Sequence, residues 1–379
     1  MSTFSLMFQK IKSNYVNFRG WSTKRKILVI ESDDWGSIRM PSKRIYEELL
    51  FKNIPVDKHY FAKNDCLESN TDLELLFEVL SSNKDKNGQP AVITANAVVA
   101  NPDFEKIAAS NRKEYHYELI TDTYDTYPNH DRVFELWKNE GIKQNMLYPQ
   151  FHGREHLNVE SWMKVINSDS PVENFAFQNK VLLGIDIPGE KSFGFNYMAA
   201  FEYFNKEQQV RIEKITSDGL QLFEKIFGFK SKSFIASCGI QGTHIDSVLA
   251  ANGVEFNQNG HQFRPDGKGG VKADQKFWGD TNELGQTYWR RNVTFEPSRA
   301  PLEDWVSKCM KEIELAFRWG KPAVINSHRV NYSSGIFVEN RDNTLRLLDT
   351  LLKAVLQKWP EVEFMNSQQL GETIQNKSI

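Results

Sequence analysis

The sequence is short of cysteine, with Cys66, Cys238 and Cys309 the only three in 379 residues. An odd count at wide spacing supports neither a disulfide framework nor a cysteine-type zinc site. It has no basic block either, since 47 Lys and Arg stand against 49 Asp and Glu. Near-neutral charge argues against nucleic acid or an anionic membrane as the main partner. No run of eighteen apolar residues occurs, so no integral membrane segment is expected. Residues 1–20 carry Lys10, Lys12 and Arg19 but neither an apolar h-region nor a small-residue cleavage site. The expectation is a reducing, cytoplasmic protein.

Apolar content of 40% against 25% charged is enough to fill the core of one large α/β domain. Short apolar runs alternate with helix-period stretches and turn signals. Strands are expected at 26–32, 91–95, 142–147, 233–236, 254–257, 293–295, 322–326 and 363–365. Helices are expected at 42–52, 71–81, 132–140, 158–166, 208–227, 244–252, 302–319 and 344–356. This alternation implies a parallel sheet or barrel. Residues 1–25 read as an N-terminal arm with a helix near 4–16. The rest, 26–379, reads as a single domain with an insertion at 168–196, which reads first as a surface loop, with capping of a site as the functional alternative. A Gly-rich loop is expected over 259–270.

In such folds ligands bind at the C-terminal ends of the strands. Three polar clusters fall there. Lys26-Ile27-Leu28-Val29-Ile30 runs into Asp33-Asp34, and a buried acid pair is costly unless something positive meets it. The plain alternative is an exposed turn or a helix cap. His152 and His156, four apart, would make with Asp34 a His₂-carboxylate set for Zn²⁺ or another divalent metal, with positions left for water and substrate. The plain alternative is two loop histidines without a metal. His-x-x-Glu-His also matches the inverted zinc-peptidase motif, which requires a helix. Pro149, Gly153 and the Asn158 cap speak against one. Asp33 beside a metal ligand suits a general base on metal-bound water. His328, at the end of a late strand, suits a general acid, although a lone histidine there is more often structural.

These residues, in this order, resemble the polysaccharide deacetylase superfamily, metal-dependent carbohydrate esterases with a distorted (β/α) barrel of about seven strands. Ile30 to Asp34 looks like the family's first motif, and His152 to Asn158 like its second. Ser233 to Gly239 sits where the third falls, and Val324 to His328 resembles the fifth. The resemblance covers about residues 26–372. It implies Asp33 as base, Asp34, His152 and His156 as ligands of a divalent metal (Zn foremost, with Co, Ni or Mn also suitable), and His328 as acid. The implied substrate is an acetylated sugar or glycan.

The chain also departs from the family. Ile235 stands where the third motif has an Arg that orients the base, Ser237-Cys238 replaces Pro-Tyr, and Asn257-Gln258 lies where an Asp-Trp motif belongs. Arg329 follows His328 where an acid is usual. Arg329, Arg154 and Arg264 are candidates for the missing positive charge. Trp35, Arg154, Arg329 and Tyr332 are candidate substrate contacts, with a packing role as the plain alternative for Trp35 and Tyr332. His244 and His261 read as non-ligands. Removal of an acyl group from an amino sugar or O-acetylated glycan is the leading reading. Hydrolysis of another C–N or glycosidic bond, and glycan binding without turnover, are the alternatives. A cytoplasmic location favours a nucleotide- or lipid-linked sugar as substrate. Oligomeric state is not legible.

Overall fold

The computed structural model describes residues 14–185 and 197–376. The N-terminal helix expected near 4–16 lies mostly outside these residues, and so does the second half of the 168–196 insertion. The first half of that insertion holds a helix, Pro171–Gln178, capped by Ser170.

Nine strands form one parallel sheet. They are β1 (Ile27–Trp35), β2 (Ile93–Val98), β3 (Leu147–Gly153), β4 (Ser233–Phe234), β5 (Phe256–Asn257), β6 (Thr287–Tyr288), β7 (Val293–Thr294), β8 (Ala323–His328) and β9 (Glu363–Met365). Their order is β6-β5-β4-β3-β2-β1-β8-β7. On one edge β1 pairs β8 through Leu28–Asp33; on the other its first residues pair β9 and its last pair β2. Among the described residues no ladder joins β6 to β7, so the barrel is open along that seam. The architecture is the expected distorted (β/α) barrel, with nine strands rather than about seven. β4 to β7 are two-residue ladders; β4, β5 and β7 fall within expected strands and β6 does not.

β1 is buried along its whole length, as a central parallel strand covered on both faces must be. Helices Asn70–Ser82, Lys206–Phe227, Trp305–Arg318 and Val338–Lys358 bury Leu76, Leu220, Ile313 and Leu348 in one core with β1, β2, β3 and β8. Asn70–Ser82 starts one residue earlier than its pattern suggests. Ser69 accepts from the Asp72 amide and Asp72 accepts from the Ser69 amide, a reciprocal cap that satisfies two orphan donors. Lys206–Phe227 ends as expected at Gly228, whose φ of +83° only glycine adopts without strain. The expected loop 259–270 is instead the start of an antiparallel hairpin, His261–Pro265 with Val271–Gln275, and its glycines make the turn.

Candidate active site

The C-terminal ends of β1, β3 and β8 open into a cavity of about 530 Å³. Asp33, Asp34, Arg39, His152, His156 and His328 all line it. Adjacent residues on a strand face opposite ways, so a regular β1 could not present both aspartates. A bulge resolves this. The register between β1 and β2 slips between Ser32 and Trp35, and Asp34 takes a φ of +75°. Bulges re-aim side chains in this way, and Asp is among the few non-glycine residues that tolerate the left-handed region.

β3 carries a second bulge, opposite Ala97 and Val98, between Phe151 and Gly153. Gly153 has a φ of +145°, and a Cβ there would lie 2.7 Å from the Glu155 carbonyl oxygen. The tight turn that brings His156 back beside His152 therefore needs glycine. Asn158 then caps Val159–Ile166 through the Ser161 amide. His152 thus ends a strand and His156 lies in a loop, so the helix that an inverted zinc-peptidase motif requires is not there.

Asp34 Oδ1 lies 3.4 Å from His152 Nε2 and 3.1 Å from His156 Nε2. One ligand atom from each of the three residues falls within 4.8 Å of the others. His152 Nδ1 is 2.8 Å from the Ile235 carbonyl oxygen. A carbonyl only accepts, so Nδ1 carries a proton and Nε2 is the nitrogen turned to the cleft. That Nε2 is buried, without a hydrogen bond, and faces the Asp34 carboxylate. A cation between them satisfies both. The backbone bond on Nδ1 is the support that orients metal-bound histidines. An O,N,N donor set suits Zn²⁺ and its neighbours. The residues therefore fit a divalent metal.

Asp33 is held differently. Arg291 grips it with two parallel bonds, Nη1 to Oδ2 at 2.7 Å and Nη2 to Oδ1 at 2.8 Å, and Asn96 Nδ2 donates to Oδ1 at 2.8 Å. The remaining donors of Arg291 go to Glu31 (2.6 Å), Asn326 (2.7 Å) and Gln258 (3.0 Å). Burial works against the Asp33 anion, but the Arg291 charge outweighs it and holds the carboxyl at about 2. His328 Nε2 is 3.8 Å from Asp33 Oδ2, and its Nδ1 is 2.6 Å from Glu296 Oε1. Burial disfavours the imidazolium. Glu296 overrides it, with help from Asp33, and lifts His328 to about 10. Near neutrality the pair is a carboxylate beside a protonated imidazole.

Arg291 supplies the positive charge that the sequence reading sought elsewhere. Arg329 is fully buried and ion-pairs Asp65 at 3.0 Å and Glu68 at 3.1 Å. Arg264 pairs Asp246 and Asp274. Arg154 pairs Glu155 and Asp218, and lines a separate apolar cavity. The expected substrate contacts Trp35 and Tyr332 also lie outside the cleft. Trp35 has no exposure, donates to Ser32 Oγ and stacks on Tyr332 at 6.0 Å. Tyr332 is 1% exposed and its hydroxyl meets Ser327. The same bulge that exposes Asp34 to the cleft sends the next residue into the core. His244 packs edge-on against Tyr203, and His261 is exposed on the hairpin.

Two further residues escaped the sequence reading. Arg291 sits in the stretch 289–292, which crosses the open seam between β6 and β7. That stretch belongs to no regular element, so no periodicity marks it. Glu296 had a usable signal. It closes Val293-Thr294-Phe295, and the strand-end rule that picked out Asp33, His152 and His328 applies to it equally.

No family model and no curated protein matches the sequence. The fold is similar to solved structures at low identity. One is a Parabacteroides distasonis protein described as a glycoside hydrolase/deacetylase (8% identity, 95% of this chain and 74% of that one, TM-score 0.48). Another is Puue allantoinase (10%, 93% and 91%, TM-score 0.46). A third is a family 4 carbohydrate esterase from Streptomyces lividans in complex with acetate (12%, 91% and 95%, TM-score 0.34). The likeness is one of fold. Among the described residues no helix is long and apolar enough to cross a membrane.

Proposed function

We propose that this cleft is a metal-dependent hydrolytic site that removes an acetyl or other acyl group from an amino sugar or O-acetylated glycan. One observation carries the reading: a buried Asp34-His152-His156 donor set lies beside an ionised Asp33 and a protonated His328 that are 3.8 Å apart. A divalent ion, Zn²⁺ foremost, would acidify a water and polarise the acyl carbonyl. Asp33 takes the proton from the attacking water, and Arg291 and Asn96 fix the direction in which its oxygens point. His328 Nε2 gives a proton to the departing amine or alkoxide.

Metal content tests the reading. Wild type is expected to bind about one transition metal per chain, and His152→Ala and Asp34→Ala to bind none. Acetate release from acetylated sugars should follow the metal. Formate or ammonia in its place would assign another C–N hydrolysis to the site. Absence of metal from the wild type, even with added Zn²⁺ or Co²⁺, would end the hydrolase reading.

Glu296→Gln gives a pH signature. The raised value of His328 keeps the acid protonated, so activity should fall only toward pH 10. Without Glu296 the alkaline limb of kcat/KM should move down toward neutrality. Stability shifts in the same sense. The folded value of His328 lies above its unfolded one, so its contribution is complete below about 6.5 and is lost as pH rises through about 10. The advantage of wild type over Glu296→Gln in melting temperature should therefore shrink across that window. An alkaline limb that does not move would remove His328 as the acid.

A further inference from the structure

The cleft contains a cation that the proposed chemistry leaves unused. Arg39 lines it beside the three metal-donor residues, with only 7% of its surface exposed. An arginine offers five donors, yet among the described residues no side-chain hydrogen bond to this guanidinium forms. Its Nε is buried without a hydrogen-bond partner. Two loose ion pairs stand in, Nε to Asp65 Oδ2 at 3.6 Å and Nη2 to Asp34 Oδ2 at 3.9 Å. The guanidinium also lies 5.6 Å from the Phe61 ring centroid, a contact that holds its plane without using its donors.

Its two carboxylate neighbours meet it only loosely. Asp65 accepts two bonds from Arg329 on Oδ1, which leaves the Oδ2 that faces Arg39 Nε buried without a hydrogen bond, and burial pushes its carboxyl up to about 6. Asp34 faces the two histidines, and a cation held there takes up its charge. On this side of the cleft, Arg39, Arg329 and a divalent ion would then outweigh Asp34, Asp65 and Glu68 by one positive charge. On the far side Asp33, Glu31 and Glu296 outweigh Arg291 and the His328 cation by one negative charge. The cleft is polarised, and its positive end is a buried arginine with unused planar donors. That geometry matches a carboxylate or phosphate in two-point contact.

We propose that Arg39 selects anionic substrates. The sugar unit that carries the scissile acyl group, or the one next to it, bears a carboxylate or phosphate that docks on the Arg39 guanidinium. This rests on the deacylase reading only for the identity of the acylated sugar; the anion site itself is tested by binding.

The test is calorimetry on metal-loaded protein with three probes: N-acetylglucosamine, N-acetylglucosamine 1-phosphate and N-acetylmuramic acid. The last two add a phosphate or a carboxylate to the first. Wild type should bind at least one anionic probe ten times more tightly than the neutral sugar, and the better of the two distinguishes phosphate from carboxylate. Arg39→Gln should reduce that preference below threefold while leaving the neutral sugar within about twofold. Arg39→Lys keeps the charge but loses the fork, and should retain part of the preference; it also serves if Arg39→Gln fails to fold. The proposal is overturned if the neutral sugar binds as well as the anions, if neither anion binds, or if the preference survives Arg39→Gln. Acetate release is read separately. Anion preference without acetate release would sink the deacylase reading alone, and acetate release without anion preference would sink this one alone.

Discussion

Replacing Arg291 with Met is expected to lower the melting temperature by roughly 4–6 °C and to cripple activity. The side chain satisfies Glu31 and Asp33 together and uses every donor it has. Glu31 has no exposure and Asp33 has 6%. Removing the partner of a buried carboxylate costs about 3–5 kcal/mol, because the charge stays behind in a poor medium. At about 2.1 cal/mol/K of unfolding entropy per residue, that energy in a 379-residue chain gives the temperature change stated. Two companion variants separate charge from shape. Arg291→Lys keeps one charge without the fork and should fall between wild type and Met. Adding Glu31→Gln to Arg291→Met removes one of the two stranded charges and should recover about half of the loss. Activity should report on Asp33 itself. Its carboxyl is held at about 2 by Arg291 against burial, so without Arg291 burial wins and the carboxyl rises above its ordinary value. Any residual activity of Arg291→Met should then gain an acidic limb above pH 4 that wild type lacks. The same depression stabilises the wild-type fold above about pH 4, and that share is lost as pH falls toward 2. A variant melting within about 1 °C of wild type would show that the Arg291 grip is not what holds the acid pair.

The sequence made the site partly legible because strand ends are easy to see and chain crossings are not. Lys26 to Ile30 is an apolar run, so β1 and the acids at its end stand out. His152, His156 and His328 follow by the same rule. What failed was the assumption that neighbours of site residues share the site. Trp35 follows Asp34 and Arg329 follows His328, yet both point away from the cleft, because pleat and bulge decide facing and neither is written in composition. The partners of Arg329 show the other limit. Asp65 and Glu68 lie some 260 residues away in the chain, and no local pattern pairs them. Arg291 combines both difficulties, since it reaches Asp33 from an irregular stretch across the barrel seam. Of the two-residue ladders, β4, β5 and β7 fall within expected strands, and β6 goes unread, since a strand of two residues has no period.

Asp34→Asn is expected to abolish metal binding and cut activity by at least about a thousandfold, and to lower the melting temperature of the metal-free protein. The first part follows from charge. The carboxylate is the only anion in the donor set, and a metal's share of transition-state stabilisation is several kcal/mol, at about 1.4 kcal/mol per tenfold. The second part follows from the contacts the carboxylate already makes. Asp34 sits at a φ of +75°, where asparagine is as comfortable as aspartate, so the bulge keeps its shape. Burial works against the Asp34 anion, but His156 and His152, at 3.1 and 3.4 Å, outweigh it and hold the carboxyl well below its ordinary value. An amide loses that attraction and the ion pair to Arg39 at 3.9 Å. Treated with chelator, the Asp34→Asn protein should therefore melt below wild type. Zn²⁺ should then widen the gap. Ligand at a thousand times its Kd stabilises by about 4 kcal/mol, roughly 5 °C for a chain of this length, and only wild type should gain it. Thermal melts of both proteins with chelator and with Zn²⁺ decide the matter. A gap between the two proteins that Zn²⁺ does not widen would mean that the donor set takes up no metal.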